Sequence, residues 1–276
     1  MSNDSPHCSI LLTNDDGYDA PGLHAMIEAM RPLGEIYVSA PAMEQSGKGH
    51  SIATSREPIF VNEKKQLDGK TWYAVEAPPA TCVRLAIMSL LPRRPDLVIS
   101  GINRGDNLGL YSNPLSGTIG AARDAAMFGL PAIAVSMGGN KEEDYAATAA
   151  YIRELVKELR AKQMLKPGFF LNVNRPAGEV KGVRVTRLSL KPSIEDYERR
   201  TSPRGRIYFW SRFRPPEDDV EGTDIWAFRR GYITLTPLAL DATDGAAVDK
   251  LRVLEHAFPR ALSQRENHGV VAAATH

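Results

Sequence analysis

An alternation of short apolar runs with amphipathic helical patterns most constrains how this chain can fold. The apolar runs cover residues 9–13, 35–40, 96–100, 131–136 and 168–173. Between them, apolar side chains recur at helical spacing over residues 21–30, 79–91, 119–128 and 145–165. Runs that are apolar on both faces are typical of central strands in a parallel sheet that helices cover. The alternation therefore predicts an α/β fold with a doubly wound, mostly parallel sheet.

The pattern changes after about residue 175. The stretches 183–190, 205–213 and 231–235 alternate polar and apolar residues as exposed strands do. We therefore expect an α/β catalytic core over residues 1–175, a strand-rich extension over 176–258, and a disordered tail over 259–276. The extension is interpreted as an oligomerisation arm that closes onto the core. Residues 59–75 also depart from the alternation and indicate a hairpin with its turn at Asp68 and Gly69.

Charge and composition argue against two classes of partner. The 34 basic and 33 acidic side chains nearly cancel, so the strongly basic field typical of proteins that bind nucleic acid polymers is absent. No apolar stretch is long enough to span a membrane, and residues 1–7 lack the apolar core of a signal peptide. Cys8 and Cys82 lie in apolar surroundings without metal or redox spacing. We therefore expect a cytoplasmic protein.

Two adjacent carboxylates, Asp15 and Asp16, follow the first predicted strand, with Asn14 before them and Gly17 after. In open α/β sheets, ligands bind beyond the carboxyl ends of the strands. Adjacent carboxylates repel each other, and a divalent cation with its preference for oxygen ligands offsets that repulsion. From these residues alone, a metal site and a solvated turn are about equally supported.

Three further segments place small and polar residues after a strand or at the start of a helix. Their candidate residues are Asn103, Ser46, Gly47, Lys48, Ser116, Gly117 and Thr118. Asn103 offers a neutral amide oxygen to a metal. The loop 40–52 can wrap an anion with backbone N–H groups, a hydroxyl and an ammonium. The hydroxyls before the helix 119–128 are ordinary caps, although the same geometry also holds phosphate.

Several common catalytic patterns are absent from the sequence. The six histidines show no metal spacing, so Mg²⁺ or Mn²⁺ is favoured over zinc. His24 lies on a helical pattern and is expected to be a packing residue. No GxGxxG follows a strand, which argues against a dinucleotide cofactor, and no GxSxG elbow indicates a serine hydrolase.

Six blocks, taken in order, resemble the SurE family of survival proteins. They are residues 11–22 (LLTNDDGYDAPG), 40–52 (APAMEQSGKGHSI), 98–107 (VISGINRGDN), 116–122 (SGTIGAA), 170–176 (FLNVNRP) and 223–238 (TDIWAFRRGYITLTPL). The resemblance implies a Rossmann-like core and a metal-dependent phosphatase that acts on nucleoside 5′- and 3′-monophosphates and, in some members of the family, on polyphosphate. It also implies one Mg²⁺ or Mn²⁺ per subunit, and a homodimer or homotetramer with an exchanged C-terminal arm.

Matched motif by motif, the resemblance also implies site residues. The metal ligands would be Asp15, Asp16, Ser46 and Asn103, of which the two aspartates are also catalytic. The phosphate would lie against Asn14, Gly47, Ser116, Gly117 and Thr118. The family usually has Tyr-Ser-Gly-Thr before this helix, whereas this chain has Leu115 before Ser116. We therefore expect a different loop shape and base preference.

Three alternatives stay open at this point. An aspartate could attack phosphorus directly and form a phospho-enzyme. The same pocket could bind nucleotides for regulation without turnover. The six arginines between Arg199 and Arg214 could bind nucleic acid or guide anionic substrates, although a solvated basic loop is the simpler interpretation.

Overall fold

One mostly parallel sheet organises the fold of the computed structural model, which describes residues 8–66, 70–139, 141–214 and 216–256. The strands are β1 (Ser9–Thr13), β2 (Glu35–Pro41), β3 (Val61–Lys65), β4 (Thr71–Val75), β5 (Leu97–Arg104), β6 (Ala132–Met137), β7 (Phe170–Arg175), β8 (Gly182–Val185), β9 (Ile194–Thr201), β10 (Ile207–Arg214) and β11 (Tyr232–Pro237). The α-helices are α1 (Pro21–Met30), α2 (Pro79–Leu85), α3 (Gly109–Leu115), α4 (Gly117–Met127), α5 (Glu142–Ala161), α6 (Asp224–Arg229) and α7 (Gly245–Leu251).

The main sheet has nine strands in the order β3-β4-β2-β1-β5-β6-β7-β11-β8. The six strands from β4 to β7 in this order are all parallel. Strand β3 pairs antiparallel with β4, and β11 pairs antiparallel with β7. The predicted α/β fold with a mostly parallel sheet is therefore confirmed.

Helices cover both faces of the sheet, and β1 shows why its sequence is apolar throughout. Ile10 and Leu12 pack in one core cluster with residues of α1 and α5. Leu11 points to the opposite face and packs in a second cluster with residues of α2 and α4. Because successive strand residues alternate faces, a strand covered on both sides buries every side chain.

Strand β5 extends beyond its predicted end at Ser100 and continues to Arg104. Its pairing with β6 shifts register between Ser100 and Asn103 and then resumes. This register shift requires glycine at position 101. Gly101 has a φ of 139°, and a β-carbon there would lie 2.3 Å from the Val135 carbonyl oxygen. Asn103 is therefore a strand residue and not part of a turn.

Beyond residue 175, β8 and β11 join the main sheet, while β9 and β10 form a separate antiparallel pair. Residues 241–256 form a second unit that contains α7. The predicted turn at Asp68 and Gly69 lies outside the described residues, as does the predicted tail 259–276, whereas the flanking strands β3 and β4 do pair as a hairpin. Within the described ranges, no helix has the length and apolar character needed to cross a membrane.

The arginine stretch forms the β9–β10 hairpin, so its interpretation as a loop was wrong. Glu198 pairs with Arg200 on its own strand, β9, and with Arg212 across the hairpin on β10. Large apolar side chains are also exposed on these two strands; they are Tyr197, Ile207, Tyr208, Phe209, Trp210 and Phe213. Regular cross-strand pairing explains the difference, because alternating charged and aromatic residues suit a two-stranded ribbon.

The histidine on α1 is the second correction. His24 was expected to be a packing residue, but it is exposed on the outer side of the helix, edge-on to Tyr18 with ring centroids 6.4 Å apart. The core side of α1 is occupied by Leu23, Met26 and Ile27.

Candidate active site

Asp15 lies directly beyond β1 and is almost completely buried, with 3% of its surface exposed. The Thr118 hydroxyl donates a hydrogen bond of 2.5 Å to Asp15 Oδ1. Burial raises the pKa of Asp15 to about 6, although hydrogen bonds from Thr118 lower it and the Asp16 charge raises it. Burial thus makes the negative charge of Asp15 unfavourable unless hydrogen-bond donors or a cation lie beside it.

Helix α4 begins against this carboxyl. A β-carbon on Gly117 would lie 2.9 Å from Asp15 Cβ, so glycine is required for the approach. Ser116 is the N-cap, and its hydroxyl accepts a hydrogen bond of 3.1 Å from the Ile119 backbone N–H. The N-terminal end of a helix carries a partial positive charge and attracts anions. The structure therefore brings Asp15 together with the three predicted residues 116–118.

Asp16 faces the end of β5. Its Oδ2 accepts a hydrogen bond of 3.0 Å from the Arg104 backbone N–H. Burial raises the pKa of Asp16, while the Arg104 hydrogen bond and charge lower it. The neighbouring Asn103 donates from Nδ2 to the Gly105 carbonyl at 2.8 Å, which leaves its amide oxygen as the atom that could bind a metal.

The loop after β2 contacts the Asp15 backbone. The Gln45 N–H donates a hydrogen bond of 2.7 Å to the Asp15 carbonyl oxygen. Ser46 and Gly47, which follow, are both exposed. The Ser46 hydroxyl donates to Glu44 at 2.9 Å, and Gly47 has a φ of 73°. The loop thus reaches the aspartates through its backbone, while its hydroxyl is engaged with a neighbouring carboxylate.

Asn14 is buried beside the aspartates and has one unpartnered atom. Its Nδ2 donates to the Gly17 carbonyl at 2.8 Å, but its Oδ1 has no hydrogen-bond partner among the described residues. The Thr13 and Ser100 hydroxyls, on neighbouring strands, are unpartnered in the same sense. Buried polar atoms without partners are rare, so this cluster indicates a site that binds something polar.

An amide network beside β6 and β7 was missed by the sequence prediction. The Asn107 N–H donates to Asn174 Oδ1 at 2.7 Å, and Asn107 Nδ2 donates to the Ser136 hydroxyl at 2.8 Å. Asn172 donates back to the Asn107 carbonyl at 2.9 Å. The sequence did carry a signal for this network. Asn172 and Asn174 lie at alternate positions of the buried strand β7, and buried amide groups need hydrogen-bond partners.

The donor atoms around the aspartates suit a hard divalent cation. Across the described parts of the chain, no group of three or more His, Cys, Asp or Glu residues is gathered for a metal. A metal here would therefore need the neutral oxygens of Ser46 and Asn103 in addition to the two carboxylates. Oxygen-only ligand sets are typical of Mg²⁺ and Mn²⁺. The residues present fit such an ion, and both carboxyls have pKa values that burial raises, which a bound cation would reverse.

Comparisons with known proteins agree on one family. The family model for Survival protein SurE matches residues 10–194. A 5′-nucleotidase SurE from Pelotomaculum thermopropionicum is 41% identical over 252 residues, covering 89% of this chain and 94% of that protein. A 5′-nucleotidase SurE 1 from Thermus thermophilus is 43% identical over 236 residues, covering 85% and 92%. The crystal structure of a SurE protein from Aquifex aeolicus matches with a TM-score of 0.77 at 36% identity, covering 90% of this chain and 99% of that one.

Proposed function

The chain belongs to the SurE family, and from that premise we propose that it is a 5′-nucleotidase whose active site is the cluster around Asp15 and Asp16. The observation that best supports this location of the active site is the contact between Asp15 and the start of α4. A buried carboxylate and a helix N-terminus meet there, so a cation and a phosphate have complementary partners side by side.

The proposed metal ligands are Asp15, Asp16, Ser46 and Asn103, holding one Mg²⁺ or Mn²⁺ per subunit. Support comes from the oxygen-only donor set and from the carboxyl pKa values that burial raises. When bound, such an ion withdraws charge from the phosphoryl group and acidifies water. The Ser46 hydroxyl donates its proton to Glu44, which leaves the lone pairs of its oxygen free to bind the ion.

The protein's own groups then hold the phosphate and move a proton. The N-terminal end of α4, with Ser116, Gly117 and Thr118, attracts the phosphate oxygens, and Asn14 and Gly47 border them. Water attacks phosphorus as the bond to the nucleoside oxygen breaks. The proton of the attacking water passes to Asp15 or Asp16, and the departing nucleoside oxygen takes up a proton from solvent water. The Thr118 hydrogen bond fixes the orientation of the first carboxylate, whereas the second is held by a backbone N–H.

The proposed substrates extend to nucleoside 3′-monophosphates and short polyphosphate. These share with 5′-monophosphates a terminal phosphate ester or anhydride, and the site described above recognises only that group. One residue before α4 differs from the family pattern, since Leu115 precedes Ser116. Base preference is therefore a property to be measured on this chain.

We further propose that the chain is a cytoplasmic homodimer or homotetramer, with the region 176–258 acting as the arm. The exposed aromatic residues of β9–β10 support this, because a patch of exposed apolar residues marks an interaction surface. Free Cys8 and Cys82 support a reducing compartment. Light scattering of the purified protein tests the assembly, and a monomeric mass would contradict it.

Phosphate release from a panel of nucleoside monophosphates tests the function. Chelator-treated protein should release little phosphate, and added Mn²⁺ or Mg²⁺ should restore release. Asp16→Asn should lose nearly all activity with either metal. Asp19→Asn is the matched control, because it makes the same change on an exposed carboxylate of the same loop. Absence of release with any metal or substrate would overturn the proposal.

A further inference from the structure

A buried aspartate lies on α4 away from the two catalytic carboxylates. Asp124 has no exposed side-chain surface. It accepts a hydrogen bond of 2.7 Å from Arg84 Nη2 and one of 3.1 Å from His50 Nε2. Burial by itself would raise the pKa of Asp124, but the hydrogen bonds from His50 and Arg84 lower it below its ordinary value. Asp124 is therefore an anion at neutral pH, and the His50 imidazole donates to it through Nε2.

The two donors come from different parts of the fold. Arg84 belongs to α2 and also covers the Phe128 ring, 5.5 Å from its centroid. His50 closes the loop that carries Ser46 and Gly47. Asp124 thus accepts hydrogen bonds from two kinds of donor. Arg84 joins α2 to α4, whereas His50 joins the proposed phosphate-binding loop to α4.

The His50 end of the loop packs tightly on the start of α4. The Gly49 N–H donates to the Leu115 carbonyl at 2.9 Å. A β-carbon on Gly120 would lie 2.5 Å from the Gly49 carbonyl oxygen and 2.9 Å from His50 Cα. At its other end the loop is tied to Asp15 through the Gln45 N–H, at 2.7 Å.

Between these two attachments the loop is exposed. Ser46, Gly47 and Lys48 are all open to solvent, and a β-carbon on Gly47 would have no atom within 4 Å. Two backbone hydrogen bonds form turns here. The Lys48 N–H donates to the Gln45 carbonyl and the Ser51 N–H donates to the Lys48 carbonyl, each at 3.2 Å. The shape of the exposed part therefore depends on where its two ends are held.

We propose that His50 is a positioning residue for phosphate binding, which acts through its hydrogen bond to Asp124. The bond fixes the end of the loop 45–50 to α4, so that the loop and the N-terminal end of the helix face one phosphate together. The inference rests on the proposed function, because it concerns the same site. In this proposal His50 acts without contacting the substrate or the metal. The proposal also explains why α4 carries a buried carboxylate, since Asp124 is the group that holds His50.

The experiment compares His50→Phe with Arg84→Met, because each removes one donor residue from the same carboxylate. His50 contributes one hydrogen bond, and Arg84 contributes two, from Nε at 3.3 Å and from Nη2 at 2.7 Å. His50→Gln is the conservative variant, since its amide nitrogen can donate in place of Nε2. For each Mn²⁺-loaded protein, four quantities are measured: the KM for adenosine 5′-monophosphate, the inhibition constant of inorganic phosphate, hydrogen exchange of the amides 45–50, and the thermal midpoint.

His50→Phe should raise both the KM and the inhibition constant about tenfold, the factor expected for one hydrogen bond to a charged group. Its loop amides should exchange faster than those of the wild type, while kcat falls less than KM rises. His50→Gln should recover most of the loss. Arg84→Met should lower the thermal midpoint and keep the KM and the loop exchange within about twofold of the wild type.

Three results would overturn the proposal. One is wild-type phosphate binding and loop exchange in His50→Phe. A second is faster loop exchange without any change in phosphate binding. The third is an equal effect of Arg84→Met on KM and on the loop, which would make Asp124 a purely structural ion pair. A wild-type protein without phosphatase activity would instead refute the proposed function, and exchange of the loop amides with and without inorganic phosphate would still decide the role of His50.

Discussion

A β-carbon on Gly117 would lie 2.9 Å from Asp15 Cβ and 3.0 Å from Asp15 Oδ2. Real β-carbons do not approach other atoms so closely, and both neighbours are buried, so either α4 or the carboxylate must move. Helix and carboxylate therefore approach each other at a distance that only glycine allows.

Gly117→Ala should lower kcat/KM by more than about tenfold, because overpacking of this size costs about 1–3 kcal/mol and falls directly on Asp15. Steady-state kinetics and the thermal midpoint are measured together. Gly245→Ala is the control, since that helical glycine has nothing within 4 Å of a β-carbon. Equal activity in the wild type and Gly117→Ala would contradict the assignment of this contact to the active site.

Thr118→Val should lower activity, whereas Thr118→Ser should retain most of it. The valine keeps the volume of threonine but leaves Asp15 Oδ1 without its 2.5 Å donor. A buried polar atom that loses its partner costs about 1–3 kcal/mol, so a fall of about tenfold to a hundredfold in kcat/KM is expected. If the valine and serine variants are equally active, the hydroxyl has no role in orienting the carboxylate.

The hydrogen bonds of Asp124 with His50 and Arg84 should make the free energy of unfolding depend on pH in the acidic range. Because the pKa of folded Asp124 lies below its ordinary value of 3.8, its hydrogen bonds contribute full stability above that value. This contribution is lost as the pH falls through the folded-state pKa. Urea unfolding of the wild type and Asp124→Asn between about pH 3 and pH 6 measures it. The difference in unfolding free energy should shrink at the acidic end, and a constant difference would contradict the ionised carboxylate.

Tyr111 should hold the β9–β10 hairpin against α3. Its hydroxyl donates to Glu195 at 2.6 Å, and its ring stacks on Phe213 with centroids 4.8 Å apart. Tyr111→Ala removes both contacts and should speed hydrogen exchange across the hairpin, while Tyr111→Phe keeps the stacking and should have a smaller effect. Identical exchange in all three proteins would show that the hairpin is held elsewhere.

The same tyrosine gives a test at alkaline pH. The hydrogen bond to Glu195 raises the pKa of Tyr111 to about 12. The bond is therefore fully present below about pH 10, the ordinary tyrosine pKa, and is lost as the pH rises through about 12. Difference absorbance between the wild type and Tyr111→Phe should show one tyrosine that ionises near the upper value.

The sequence predicted the strands and helices of the sheet well where a single physical cause sets their bounds. Strand β1 is buried on both faces, so its apolar run begins and ends with the strand. Helix α1 begins at Pro21, whose fixed φ favours the first helical turn. In contrast, β5 continues past Gly101, because its pairing with β6 resumes at Asn103 and local composition does not report such pairing.

The candidate site was predictable in part for a similar reason. Residues that follow parallel strands share one edge of the sheet, which is why Asp15, Asp16 and the loop after β2 could be expected together. The partnership of His50 with Asp124 could not, because 74 residues separate them and an aspartate in a helix has the same local signature whether it faces water or a histidine. The ligand roles of Ser46 and Asn103 stay predictions.

The Thr118–Asp15 hydrogen bond joins residues 103 positions apart in the chain. Its two halves come together only where the end of β1 meets the start of α4, so a fragment of the polypeptide that ends before α4 cannot hold the carboxylate in this orientation. Activity therefore reports that these two elements have come together. In a refolding experiment, recovered phosphate release would count the molecules in which they have done so, and a chain ending before α4 would be catalytically silent even if its first strands had formed.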